Sequence, residues 1–295
     1  MSYRNLGPYL LQRFPPIGMA LFVILFLTVK RLAHVADATA FSFQWTDVLG
    51  LVAVISFFFR LRVFDEQKDY KDDLIHYPDR ILQSGKITIR ELRNIAIGGG
   101  ILEITWSYLS GGTSSLLLWA LTFGYSLAMR YEFGISTWLK PRLVLYAFSH
   151  MLIMPLVIAW VWSGHTLITR DTGLLGLLMA LSLTGGFAFE LARKIHAPQA
   201  EKAGITTYSS LMGMGGSVAA VLGVLLTGTG ILSLLFAQTQ LPAWTQGLMW
   251  GFLAGTAAVY LWAVLKQAER SFRLGEILVS LFMLLSYSLL LILLP

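Results

Sequence analysis

Nine stretches of this chain are apolar over a length that crosses, or nearly crosses, a lipid bilayer: residues 17–29, 47–59, 94–109, 114–129, 143–162, 173–191, 209–226, 247–265 and 274–294. In hydrocarbon no water satisfies backbone N–H and C=O groups, so each run is expected to close its hydrogen bonds internally as a helix. A composition that is 56% hydrophobic and only 13% charged excludes an ordinary soluble domain. The expectation is an all-α, polytopic membrane protein, a nine-helix bundle forming one integral-membrane domain over residues 1–295. The first run has the flanks of a secretory signal, with Ala36, Asp37 and Ala38 resembling a cleavage site. Lys30 and Arg31 separate that site from the apolar core, and eight further runs follow, so the first run reads as a retained anchor. The chain has no cysteine, which leaves no disulfide or thiolate chemistry.

Charge placement then orients the bundle. With nine spans and a cytoplasmic N-terminus, 19 of the 22 Lys and Arg residues fall on the cytoplasmic side. They are Arg4 and Arg13, eight residues from Arg60 to Arg93, Arg130, Lys140, Arg142, Arg193, Lys194, Lys202, Lys266, Arg270 and Arg273. Only Lys30, Arg31 and Arg170 fall outside. The net charge of +6 is thus a topology signal and gives no reason to expect a nucleic-acid partner.

The densest charge lies at residues 63–85, VFDEQKDYKDDLIHYPDRILQSG, directly behind the second apolar run. Asp65, Asp69 and Asp73 recur every four residues, with Glu66 beside the first, so a continuing helix would line them on one face. Such a row suits magnesium, a hard cation that takes a few carboxylates and completes its shell with phosphate oxygens. A solvated helix end, with Lys68 and Lys71 pairing the acids, is the alternative reading of the same residues. Pro78, Asp79 and Arg80 then form a turn, and Ser84 and Gly85 close the segment.

The order of acids, turn and arginine resembles the UbiA superfamily of intramembrane prenyltransferases. That family carries N-D-x-x-D-x-x-x-D after its second membrane helix, then R-P-[LIV]-x-x-G. Asp65 falls on the family's Asn, Glu66, Asp69 and Asp73 on its three Asp positions, and Arg80 on its Arg, with Ile81 in place of Pro. The family's second motif, D-x-x-D-x-x-x-D followed by G-x-x-T, belongs between spans six and seven. Gly204 and Thr207 match its ending, but its Asp positions hold Arg193, His196 and Ala200, leaving Glu190 and Glu201 as the nearby carboxylates. Either these two rebuild a second magnesium site, or Arg193 and Lys194 neutralise a diphosphate directly. A charged loop broken by Pro198 and Gly204 fits the same letters.

The resemblance implies nine helices with a cytoplasmic polar mouth, in the inner or plasma membrane. It also implies transfer of an isoprenoid chain from a prenyl diphosphate donor to a lipophilic or aromatic acceptor, with membrane lipid as surroundings. Mg2+ is the implied cofactor, with Asp65, Glu66, Asp69, Asp73, Glu190 and Glu201 as ligands and two bound cations drawing charge from the leaving group. Arg80, Lys140, Arg142, Arg193 and Lys194 are the implied diphosphate contacts. His150, about two turns inside the fifth run, is read as a packing residue or as a substrate contact and proton acceptor, and Asp65, Asp69 and Asp73 join it as catalytic candidates. Glu103, mid-span, is expected to line a wet cavity or to be paired in packing. Phe57, Trp106, Tyr125, Tyr146 and Phe187 are candidate walls around a carbocation. A terpene cyclase of the same family and a non-enzymatic membrane binding or transport protein are the other readings.

Overall fold

Because every apolar run must satisfy its own backbone, the chain folds into helices, and among the described residues no strand occurs. The structure, a computed structural model, describes residues 3–201, 204 and 206–294. Lys202, one of the basic residues weighed above, lies outside them. The helices are α1 (Leu6–Arg13), α2 (Pro16–Ala36), α3 (Trp45–His76), α4 (Ile89–Arg130), α5 (Ser136–Leu139), α6 (Leu143–Met151), α7 (Ile153–Ser163), α8 (Thr172–Ala192), α9 (Tyr208–Gln238), α10 (Ala243–Lys266) and α11 (Glu269–Leu293).

Six segments are long and apolar enough to cross a membrane, namely most of α2, the α6–α7 pair, and α8 to α11. Large apolar side chains such as Leu226, Leu234, Leu261 and Leu265 point outward from them, as the lipid-facing surface of an integral membrane protein requires. The three other expected spans fall on α3 and α4, which carry the buried charges Asp47, Arg60 and Glu103 and are not among the six.

α4 is not one rod. Residues sixteen apart in a straight helix lie about 24 Å apart, yet Trp119 Nε1 donates to Glu103 Oε2 at 2.8 Å. The chain reverses at Gly112, whose φ of 57° is left-handed backbone that a side chain would strain, and residues 89–111 and 113–130 run back along each other. The fifth run is likewise divided at Leu152, ahead of Pro155, which cannot donate the N–H a continuous helix needs there.

Neighbouring helices close into a ring, α2 against α3, α3 against α4, α4 against α7, α7 against α8, and α11 packing back on both α8 and α2, with α9 and α10 outside α8 and α11. Its centre is aromatic. Trp106 lies edge-on to Trp160 with ring centres 5.5 Å apart, and Trp160 Nε1 donates to Ser107 Oγ at 2.8 Å.

Glu103 belongs to this packing. It is fully buried, accepts from Arg60 at 2.6 Å and from Ser56 Oγ at 3.3 Å, and Arg60 is sandwiched between the Phe57 and Phe123 rings at 4.8 and 4.7 Å. A charge of each sign in a dry interior is tolerated because each is the other's partner. Lys30 and Asp47 form a second buried ion pair between α2 and α3.

Candidate active site

The charged third of α3 remains helical to His76, and the helix stops where Tyr77 precedes Pro78. Spacing of four residues therefore places Asp65, Asp69 and Asp73 on one face, and that face lines a cavity of about 760 Å³. Asp73 accepts from Arg80 at 2.6 Å, while Arg13 of α1 lies 3.6 Å away. Arg80 lies flat on the Tyr77 ring at 3.7 Å, within a turn that ends at Gly85, where φ is 73°. α1 and the residue before it clamp this turn, since Asn5 Nδ2 donates to Lys86 O at 2.6 Å and Gln12 Oε1 accepts from Ile81 N at 3.0 Å. Asp69 makes no hydrogen bond and no ion pair among the described residues.

The end of α8 supplies the facing wall. Glu190 is held by Arg193 at 2.5 Å and Lys194 at 2.8 Å, and all three line the cavity. Lys140, between α5 and α6, also lines it, is exposed and makes no ion pair among the described residues. In all, eight basic residues (Arg13, Arg62, Lys68, Arg80, Arg130, Lys140, Arg193, Lys194) and five acidic ones (Asp65, Asp69, Asp73, Glu132, Glu190) meet in this space. Deeper in, Leu61, Met129, Ala147, Met151 and Met154 make an apolar floor.

A partly buried cluster lies beside the acid row. Lys68 Nζ donates to Tyr146 Oη at 3.0 Å and lies 3.3 Å from Glu132, which also accepts from Tyr146 Oη at 3.1 Å. His150 stacks on Tyr146 with ring centres 4.0 Å apart, and its Nδ1 lies 2.8 Å from the Tyr146 carbonyl, so Nδ1 carries the proton and Nε2 the lone pair. Among the described residues Nε2 has no hydrogen-bond partner and lies 3.7 Å from Glu132 Oε2, which also has none. Glu132 and Phe133 reach these positions with φ of 53° and 56°, a left-handed pair without glycine, which is costly backbone of the kind concentrated at functional sites.

Electrostatics follow from this crowding. Partial burial raises the Asp69 carboxyl above its ordinary range; Lys68 and Lys140 pull it down, and Asp65 and Asp73 push it further up. Burial works against the Lys68 ammonium, but Tyr146, Asp65 and Glu132 together hold it well above its usual value. Burial likewise disfavours the Arg193 charge, and Glu190 and Asp65 more than restore it.

Three of the expected ligands and contacts lie elsewhere. Glu66 is buried about 100° around α3 from Asp65, accepting from Arg13 at 2.7 Å and from Arg62 at 2.8 Å. Glu201 accepts from Thr207 Oγ1 at 2.7 Å and from Ser209 Oγ at 2.5 Å and so braces the start of α9. Arg142 donates to the Trp138 carbonyl at 2.5 Å and borders a separate apolar groove together with Phe187. Of the aromatic candidates, Phe57 and Trp106 sit in the core and Tyr125 donates to the Ser149 carbonyl, while Tyr146 reaches the cavity. The sequence reading missed Arg13, Arg62, Lys68 and Glu132 as cavity residues. Lys68 alone carried a signal, its place one turn after Asp65.

Among the described residues, no three carboxylate or imidazole groups converge tightly enough to hold a metal by themselves. Magnesium does not need them to, because it commonly takes one or two carboxylates and completes its octahedron with water and phosphate oxygens. The unpartnered Asp69, with Asp65 a turn away on the same face, fits that mode.

No family profile and no curated protein sequence matches this chain. Two solved structures do. A digeranylgeranylglyceryl phosphate synthase superposes with a TM-score of 0.69 at 14% identity, covering 98% of each chain. A UbiA homologue from Aeropyrum pernix superposes with a TM-score of 0.59 at 18% identity, covering 89% of this chain and 96% of its own. Most of the length of this chain superposes on both, and the protein has the UbiA fold.

Proposed function

We propose that this protein is a Mg2+-dependent intramembrane prenyltransferase that moves an isoprenoid chain from a prenyl diphosphate to a lipophilic or aromatic acceptor. The observation carrying this reading is one cavity in which a carboxylate row faces a cluster of fixed cations above an apolar floor. The fold is shared with a synthase of digeranylgeranylglyceryl phosphate, which fits the same kind of donor. Asp65 and Asp69, with Asp73 behind them, would hold the metal, which there would supply Lewis acidity toward the diphosphate oxygens. Arg80, Lys140, Arg193 and Lys194 take up the negative charge that builds on the diphosphate as its bond to the isoprenoid carbon breaks, the kind of stabilisation that dominates charge-separating steps. Leu61, Met129, Met151 and Met154 hold the isoprenoid chain and keep water from the cationic carbon. His150, with Nδ1–H committed to the Tyr146 carbonyl, offers the Nε2 lone pair to the proton that the acceptor loses. The cavity faces the cytoplasm of the inner or plasma membrane, with α3 and both arms of α4 completing nine spans.

The test is diphosphate release by the purified protein in lipid nanodiscs given geranylgeranyl diphosphate, together with mass spectrometry of lipids from cells with and without it. Metal-dependent release and a new prenylated lipid are expected. Release that persists in excess chelator, or no release at all, refutes the reading. A prenyl hydrocarbon made from the donor alone would replace transfer with cyclisation.

A further inference from the structure

The resemblance noted in the sequence leads to the expectation of a second carboxylate set, and a second metal, across the cavity from α3. The geometry points to a different arrangement: we infer that the site holds a single divalent cation, on the Asp65, Asp69 and Asp73 row, and that Arg193 and Lys194 stand as fixed charges in place of a second. This rests on the reading that the cavity binds a prenyl diphosphate.

Each group that might rebuild the second metal site is already committed. Both Glu190 oxygens are engaged, Oε2 by Arg193 at 2.5 Å and Oε1 by Lys194 at 2.8 Å, with the side chain only 9% exposed. A divalent ion there would have to displace two charge-assisted bonds and then sit against the two cations it freed. Glu201 is turned to Thr207 and Ser209. His196, in another Asp position of the motif, meets Glu269 at 3.1 Å and Arg273 at 2.9 Å, on the α11 side of the loop. The third position, Ala200, carries no ligand atom.

The cations are also placed where a second metal would act. Arg193 and Lys194 line the cavity, and the charges of Arg193 and Asp65 interact across it. Eight basic residues line the cavity against five acidic ones, and buried Glu66 holds two of the eight, Arg13 and Arg62, which leaves a surplus of two positive charges. A prenyl diphosphate ionised at all three of its acidic protons and one divalent ion bring the loaded site to plus one, and a second ion would raise it to plus three with no further carboxylate to hold it.

Metal stoichiometry tests this without reference to turnover. The full chain in nanodiscs is titrated with Mn2+, the paramagnetic stand-in for Mg2+, in the presence of farnesyl thiodiphosphate, a donor analogue that resists cleavage. The expected result is one Mn2+ per protein, with an electron paramagnetic resonance spectrum free of Mn–Mn coupling. Arg193→Gln and Lys194→Gln should each weaken analogue binding at saturating Mn2+ by about tenfold or more, the usual worth of a charge-assisted contact, and leave the metal count at one. Two coupled Mn2+ ions in the wild type overturn the inference, and that measurement needs no variant to fold. Unchanged analogue affinity in both variants overturns it as well. A wild type that binds no analogue, or binds it equally in excess chelator, instead sinks the functional reading on which the inference rests.

Discussion

Replacing Asp69 by Asn keeps the shape of the side chain and removes one charge, and the structure assigns opposite signs to its effects on stability and on ligand binding. In the metal-free protein Asp69 has no bonded partner, while Asp65 and Asp73 lie one turn away on either side of the same helix face. Like charges at that spacing cost about 0.2 to 0.5 kcal/mol each, so relief of two such contacts amounts to about 0.4 to 1 kcal/mol. Lost attraction to Lys68 and Lys140 offsets part of it. Asp69→Asn should therefore melt within about 2 °C of the wild type in chelator, or slightly above it. The raised carboxyl pKa gives this difference a pH dependence. The penalty for ionised Asp69 is fully present above its raised folded-state value and disappears as pH falls through that value toward the ordinary 3.8. Wild type and variant should thus converge in stability on acidification. Function should move the other way, because a metal ligand is lost. Metal-dependent diphosphate release should fall by about a hundredfold or more, the scale of losing a principal electrostatic contact. Melting in chelator at pH 7 and pH 5, beside release measured with and without Mg2+, checks both halves. A large loss of stability would show that Asp69 is a structural residue, and near-normal release would remove it from the metal site.

Glu103→Gln should lower the melting temperature by roughly 10 °C, since leaving Arg60 charged and unpaired in the interior costs about 3 to 5 kcal/mol; an unchanged melting point would mean the pair contributes nothing to the fold. Glu201→Gln should alter the affinity for farnesyl thiodiphosphate by less than about twofold, because Glu201 serves Thr207 and Ser209, and a tenfold loss would return it to the binding site. Single cysteines at Ser84 and at Gly112 should label from opposite faces of the membrane; equal labelling from outside intact cells would contradict the proposed orientation.

What the letters carried on their own was local and periodic. Runs of apolar residues predict membrane helices because the bilayer leaves the backbone no other partner, and a four-residue spacing aligns Asp65, Asp69 and Asp73 because 3.6 residues complete a turn. The break at Pro78 and the glycine at 85 were legible for the same reason, being properties of one residue and its neighbours. Everything that depends on how helices rotate against each other waited for the tertiary structure. Glu66 adjoins Asp65 in sequence but sits about 100° around the helix, so it met Arg13 and Arg62 while Asp65 met the cavity. Glu103 and Arg60 are 43 residues apart and became partners only when α4 folded back at Gly112 beside α3. Lys68, Glu132, Tyr146 and His150 come from three separate segments, with no spacing to announce them, and a strained turn at Glu132 and Phe133 brings them together. The end of α8 held carboxylates and cations in one short stretch, and only the packed structure decided that the cations would claim the carboxylate and line the cavity with it, because in a crowded, partly dry space a charge takes the nearest opposite partner.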